Sequence, residues 1–270
     1  MTGNATPPLQ RDDNAGGRLL EIDQVSVSFG GIRALDGVSC FVDRGEICGL
    51  IGPNGAGKTT LFNCITRLYS ASSGRILLLG ERIDRLAPRQ IISRGIARTF
   101  QNLGIYARMT VLENVLIGAH HRYAGSLLRT LVQPWRADAE ERGMVETCRS
   151  ILAELGLAQV AEEQAGDLPF GSLKRVEIAR ALASRPKLLL LDEPASGLTH
   201  GEALEFGALI TRLRAAFDLT ILLVEHNMGL VMDLCDRLIV LHLGCKLAEG
   251  SGAAMQADPA VIAAYLGDAQ

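Results

Sequence analysis

Three stretches of this chain carry residue types at spacings that can do chemistry. The first is Gly52 to Thr60, within ICGLIGPNGAGKTTLFNCITR. Gly52, Gly57, Lys58 and Thr59 fill the fixed places of the phosphate-binding pattern G-x-x-x-x-G-K-[ST]. Gly52, Gly55 and Gly57 allow the sharp turns that aim loop amides inward, and the intervening Pro53, Asn54 and Ala56 complete the loop. The following helix adds the positive end of its dipole, so the whole stretch is a cradle for phosphate oxygens. In such a cradle Lys58 reaches the β- and γ-phosphates, and the Thr59 hydroxyl holds Mg²⁺.

The second stretch is Lys187 to Glu193, KLLLLDE, a continuous apolar run that ends in two carboxylates. Asp192 at a strand's carboxyl end suits Mg²⁺, and Glu193 suits a water poised to attack a γ-phosphate. Acids also follow strands simply to solubilise their ends; the upstream phosphate loop favours the chemical reading. The third is Thr220 to Val224, another apolar run, released into Glu225, His226 and Asn227. His226 at that edge can touch a γ-phosphate. Gln101 closes the short run from Ile96 to Phe100, and its amide can orient water or touch Mg²⁺. The runs ending at residues 51, 191 and 224 all release such residues at their carboxyl ends, the ligand edge of an open parallel sheet.

The elements that position these residues follow from periodicity. Ile47 to Ile51 reads as a buried strand, and Leu61, Phe62, Ile65 and Leu68 mark the apolar face of the helix after the loop. Ahead of them, Leu19 to Phe29 and Val38 to Val42 read as strands of an antiparallel layer, with a Gly30-Gly31 turn between them. Phe29 has the flat ring that stacks on a purine, and it serves equally as a strand-end core residue. Gly74 to Leu79 reads as a strand and Pro88 to Arg94 as a short helix. A mainly helical region begins at Thr110, where Thr110 and Glu113 fit a capping box. Glu140 to Leu155 reads as a long helix. Residues 120–136 are basic and hold the only tryptophan, Trp135; such a segment can touch lipid head groups or a partner, and it reads first as a solvated insertion. Ser172 is placed to cap the helix LKRVEIARALAS, and with Gly171 it makes a second helix-start anion site. Asp258 and Pro259 open a last helix, VIAAYL, expected to dock through Ile262, Tyr265 or Leu266.

Composition narrows the classes. The chain has 270 residues, 48% apolar and 21% charged, with a net charge of −3, which suits a globular domain and gives no general nucleic-acid surface. Aromatics are only 4%, too few for a platform that stacks single strands. No run approaches the roughly 18–20 apolar residues of a membrane span. The first residues are polar, without the apolar stretch of a signal peptide, and residues 1–18 read as a disordered tail. The six cysteines, Cys40, Cys48, Cys64, Cys148, Cys235 and Cys245, lack metal-ligand spacing and read as buried free thiols.

In this order and spacing, the motifs from about residue 19 to the end resemble the ATP-binding subunits of ABC transporters. GPNGAGKT matches Walker A, LLLLDE Walker B, RTFQ at Arg98 to Gln101 the Q-loop, and VEH at Val224 to His226 the switch histidine. The A-loop place falls on Phe29, which favours adenine stacking. The signature L-S-G-G-Q is here L-P-F-G-S, with Pro169 removing a hydroxyl, and the D-loop S-A-L-D is S-G-L-T, with Thr199 for Asp. RTFQN, the long segment before the signature, KRVEIARAL and the ending DPAVIAAYLGDA are similar to the LivG-type ATPases of branched-chain amino acid importers. Relatives that serve urea or short amides look alike, because this kind of subunit never touches the solute.

The resemblance implies an α/β fold: a P-loop NTPase (ABC ATPase) core with a mostly parallel sheet, an N-terminal antiparallel β layer and an inserted helical subdomain. The RecA-like core is expected over about 19–101 and 184–250, the helical subdomain over about 102–183, and a C-terminal helix over about 258–266. It implies ATP and Mg²⁺ as ligands. Lys58, Thr59, Asp192 and Gln101 would hold them, Glu193 would activate water, and His226 would sense the γ-phosphate. Gly171 and Ser172 would face the nucleotide of a second ABC ATPase, identical or distinct. Transmembrane permease subunits are implied as separate chains and a solute-binding protein as an indirect partner, with no nucleic acid, at the cytoplasmic face of the membrane. The rival class is an ABC-type ATPase that remodels DNA or ribosomes, usually marked by a coiled-coil insertion or two cassettes in one chain, neither present here. A non-hydrolysing regulatory module is disfavoured by the intact Glu193 and His226.

Overall fold

The computed structural model describes residues 17–99, 104–120 and 134–266. The chain divides into two compact units, residues 1–87 with 235–270, and residues 88–234.

The first unit opens with β1 (Arg18–Phe29) and β2 (Ile32–Asp43), paired antiparallel across the Gly30-Gly31 turn. The alternation of β1 is interrupted at Gln24, which takes a positive φ of 51°, with register shifts between Ile22 and Val25. That bulge lets Ile22, Val25 and Val27 all face inward. The Ser39 hydroxyl accepts the freed Gln24 N–H at 2.9 Å. Next come β3 (Ile47–Ile51), buried at all five positions, α1 (Lys58–Ile65), β4 (Ser73–Leu78) and β5 (Glu81–Arg82). β4 joins the antiparallel layer beside β1, giving the order β2-β1-β4-β5. Helix α1 stops short of the expected Leu68. Thr66 forms its C-cap, with its hydroxyl donating to the Phe62 carbonyl, and Arg67 turns left-handed at φ 63°. Leu68 is therefore past the helix and 54% exposed.

The second unit begins with α2 (Pro88–Ser93) and β6 (Ile96–Arg98). The expected extension of that strand to Phe100 and Gln101 lies outside the described residues. Helix α3 (Val111–Ala119) starts with a complete capping box, Glu113 N–H to Thr110 Oγ1 and Thr110 N–H to the Glu113 carboxylate. Of the basic insertion, 121–133 also lie outside, as does the side chain of Trp135. Helix α4 (Pro134–Glu154) starts earlier than residue 140 and ends, as expected, before Gly156. α5 (Phe170–Ala183), β7 (Leu188–Asp192), α6 (His200–Phe217), β8 (Thr220–Val224) and α7 (Met228–Leu234) follow. β6, β7 and β8 pair in parallel in that order, and β7 and β8 are buried at every position. Fully apolar runs suit strands covered on both faces.

The chain then returns to the first unit with β9 (Arg237–His242), β10 (Cys245–Gly250), α8 (Gly252–Ala257) and α9 (Pro259–Leu266). β9 pairs parallel with β3 and antiparallel with β10. The Arg237 guanidinium meets Glu46 and Glu249 and lies 4.3 Å from the Phe41 ring centre. Asp258 caps α9, accepting from the Ala260 and Val261 amides. Of the expected docking residues, Tyr265 reaches the Gly52 backbone with its hydroxyl. Val261 and Ala264 are buried, Ile262 and Tyr265 are 43% and 36% exposed, and the Leu266 side chain lies outside the described residues. Four cysteines are buried as expected, but Cys235 is half-buried and Cys245 exposed, because Cys245 opens the hairpin strand β10.

Candidate functional site

The phosphate-loop residues belong to the first unit. Gly57 is the N-cap of α1 at φ 104°, a conformation that an L side chain rarely adopts. A Cβ there would lie 2.7 Å from Leu35 Cδ2 and 2.8 Å from the Ala34 carbonyl oxygen. At Gly52 a Cβ would come within 2.1 Å of the Leu241 carbonyl oxygen on β9. These glycines thus serve close packing of the loop against β2 and β9 as well as its turns. The β9–β10 turn adds a further brace, since the Gly244 amide donates to the Ala56 carbonyl at 3.1 Å.

Lys58 is buried, and its ammonium donates to the Gly52 and Pro53 carbonyls at 2.7 and 2.9 Å, so it is pinned over the start of the loop. No side chain caps α1 and no acid sits in its first turn, so the positive end of the helix is not neutralised from within. Asn54, Gly55 and Thr59 are exposed, Thr60 is half-buried, and Pro53 and Ala56 are buried. This donor set of amides, an ammonium and hydroxyls fits a polyphosphate with its cation. Tyr265 brings its hydroxyl beside the Gly52 backbone; burial pushes its phenol up, and the Gly52 contact partly offsets that. Phe29 is 46% exposed and meets Tyr69 edge-on, with ring centres 5.1 Å apart.

The carboxylates and the histidine belong to the second unit. Asp192, the last residue of β7, is buried, and its Oδ2 accepts from Arg98 Nη2 at 2.7 Å. Glu193 follows in a left-handed conformation, φ 48°, with its amide still donating to the Val224 carbonyl at 2.8 Å. Its Oε1 lies 2.6 Å from His226 Nε2. The two strand ends therefore bring together Glu193 and His226, residues that are 33 positions apart in sequence. Gln101 lies outside the described residues.

The helix-start site is built differently from expectation. Ser172 is not the cap of α5. The helix begins at Phe170 with Pro169 at the N-cap, and the Ser172 amide donates to the Pro169 carbonyl at 2.9 Å. Proline has a φ compatible with a helix start and no amide to satisfy there. Gly171 and Ser172 thus sit in the first turn, where no side chain caps the helix. They line a cleft of about 210 Å³ with Pro169, Arg175, Leu198 and Glu202. The Phe170 ring lies over Gly197, where a Cβ would be 3.0 Å from Phe170 Cε1, and the Lys174 ammonium is 5.4 Å from the ring centre. Thr199, in the D-loop place, caps α6 in a capping box with Glu202. The sequence reading missed Arg98 as the partner of Asp192, Glu225 as a buried acceptor, and the packing of Phe170 on Gly197.

Comparison with known proteins bears on this arrangement. The family model described as ABC transporter matches residues 35–196, more than half the chain. The chain belongs to the ABC transporter ATP-binding family. It is an ABC ATPase, with the α/β P-loop NTPase fold. A second family model, branched-chain amino acid ATP-binding cassette transporter, matches residues 245–270. The chain is 40% identical over 251 residues to the high-affinity branched-chain amino acid transport ATP-binding protein BraF of Pseudomonas aeruginosa, covering 93% of this chain and 98% of that protein. It is 39% identical, with the same coverage, to LivG of Escherichia coli, which carries the same description. Among solved structures, a nucleotide-free ATP-binding cassette from an ABC transporter superposes with a TM-score of 0.80 at 36% identity, covering 92% of this chain and 98% of that one. The ADP conformation of an ATP-binding cassette gives a TM-score of 0.80 at 34% identity, covering 93% and 99%. Among the described residues, no helix is long and apolar enough to cross a membrane.

Proposed function

We propose that this ABC ATPase powers uptake of branched-chain amino acids through a separate membrane permease, working from the cytoplasmic face of the membrane. The solute class is supported by the similarity to BraF and LivG and by the match of the C-terminal segment to the branched-chain family. The observation that carries the hydrolytic reading is the 2.6 Å contact between Glu193 Oε1 and His226 Nε2 at the ends of β7 and β8.

In this reading the loop from Gly52 to Thr60 binds the triphosphate, and Lys58 takes charge from the β- and γ-phosphates. Phe29 stacks on the adenine. Thr59, Asp192 and Gln101 hold Mg²⁺, which supplies charge neutralisation across the phosphates when bound. Arg98, 2.7 Å from Asp192 Oδ2, keeps that carboxylate oriented for the role. Glu193 orients and deprotonates the attacking water, and His226 holds the Glu193 carboxylate in place and reads the γ-phosphate. Gly171 and Ser172 present the start of α5 to the nucleotide of a second ABC ATPase, identical or distinct. A solute-binding protein delivers the amino acid to the permease and does not touch this chain.

Glu193→Gln keeps the size of the side chain and removes the base. The expected result is ATP affinity within about twofold of wild type and turnover lowered by roughly 10²–10⁴, the usual worth of a general base. Fluorescent-nucleotide binding and phosphate release measure the two quantities. Wild-type turnover in Glu193→Gln overturns the role of Glu193.

A further inference from the structure

Glu225 follows β8 and is 96% removed from solvent, at a relative exposure of 4%. Among the described residues its carboxylate accepts from backbone amides and from no side chain. The carboxylate is shared between two backbone segments. Oε1 accepts the Ala195 amide at 2.6 Å, and Oε2 accepts the amides of His226 at 3.0 Å and Asn227 at 3.4 Å. An ionised carboxylate is an acceptor on both oxygens, which is the one side-chain chemistry that satisfies donors on both sides of it.

Those two segments carry Glu193 and His226. Glu193 stands in a left-handed conformation at φ 48°, which a residue with a Cβ holds only where its surroundings fix it. On one side the Val224 carbonyl fixes its amide. On the other, the turn closes through the Ser196 amide to the Glu193 carbonyl at 3.1 Å, with Ala195 held by Glu225. Beyond His226, Asn227 Oδ1 accepts the Leu230 amide at 3.1 Å, so the segment passes directly into α7. One buried carboxylate therefore ties the turn after β7 to the turn after β8.

We propose that Glu225 is a positioning residue for ATP hydrolysis, setting the Glu193–His226 contact through the backbone on either side of it. This rests on the reading of Glu193 as the base. Glu225→Gln is nearly isosteric, but its carboxamide has an acceptor on one side only. Its NH₂ group must then face a backbone N–H, and one of the two segments loses its tether.

The test uses the full-length purified chain, with ATP as the probe. For Glu225→Gln the expected result is a kcat reduced about 10- to 100-fold, with the KM for ATP and the unfolding midpoint close to wild type, because the phosphate loop is untouched. Nitrogen-15 spectra of the His226 ring should show its Nε2 signal displaced, as in Glu193→Gln. Glu225→Asp keeps the charge but loses reach, and should fall between wild type and Glu225→Gln; it serves also if the Gln variant does not fold. A kcat within twofold of wild type overturns the proposal. So does a parallel loss of kcat, KM and unfolding midpoint with an unmoved His226 signal, which is plain destabilisation. Glu193→Gln run alongside separates the two failures. If it is inactive while Glu225→Gln is normal, only this inference falls; if it turns over like wild type, the base assignment falls as well.

Discussion

Gly57→Ala probes the phosphate loop with one added methyl group. Two costs are readable from the structure. The φ of 104° puts an L residue in a left-handed region, worth about 1–2 kcal/mol. The new Cβ would sit 2.7 Å from Leu35 Cδ2, so to reach ordinary carbon–carbon contact the loop or β2 must retreat by about 0.8 Å. Leu35 is fully buried and the Ala34 carbonyl is backbone, so neither is a flexible chain end that yields cheaply. Overpacking of that kind costs about 1–3 kcal/mol. Together the expected loss is about 2–5 kcal/mol if the loop holds its place, a large part of a typical 5–15 kcal/mol stability. If the loop moves instead, the Lys58 and Thr59 amides leave their positions, and ATP affinity falls by at least about tenfold, or about 1.4 kcal/mol. Thermal unfolding and nucleotide titration of the same preparation measure both. A variant with unchanged unfolding midpoint and unchanged ATP affinity would refute the packing argument.

Other predictions concern the scaffold. Burial alone would push the Asp84 carboxyl up, but the Arg82 guanidinium and the Ile76 amide outweigh it and hold it below the ordinary carboxylate range. Its stabilising contribution is therefore full above the ordinary aspartate pKa of about 3.9 and is lost as pH falls through the lower folded-state value. The gap in unfolding midpoint between wild type and Asp84→Asn should be constant from neutral pH to about pH 5 and close at more acid pH; a gap that widens on acidification contradicts the assignment. Thiol reactivity should follow burial. Burial pushes Cys40 up to about 12 and Cys64 and Cys148 to about 11, and raises Cys48 as well. Peptide mapping after a thiol reagent should find Cys245 modified first and Cys235 next, with the other four modified only on unfolding. Modification of Cys48 at the rate of Cys245 would contradict the burial.

Much of the site was legible because its chemistry constrains the backbone locally. The candidate phosphate loop needs glycine where β2 and β9 approach it, so Gly52 and Gly57 announce themselves by spacing. The buried strands β3, β7 and β8 read as unbroken apolar runs, and their ends deliver Lys58, Asp192, Glu193 and His226 in the expected contexts. What escaped was set by tertiary contact or by competition between caps. Arg98 and Asp192 are 94 residues apart, and no local pattern marks their ion pair. Ser172 was a reasonable cap by residue type, yet Pro169 starts the helix earlier with its fixed φ. Leu68 continued the apolar period of α1, but Thr66 and the left-handed Arg67 end that helix first. On α9 Val261 and Ala264 are buried while the expected Ile262 is 43% exposed, and Tyr265 docks through its hydroxyl. Glu225 stood in the sequence only as one of the polar residues after β8, and its burial and three backbone partners come from tertiary structure.

The most direct test of the transport claim is affinity purification of the Glu193→Gln chain from detergent-solubilised cells, with ATP present and absent. A multispanning membrane protein should accompany it in the presence of ATP, and ATP turnover by the matching wild-type assembly should rise when leucine, isoleucine or valine is supplied with the solute-binding protein. Recovery of soluble ribosomal or DNA-bound partners alone, or an assembly indifferent to those amino acids, would contradict it.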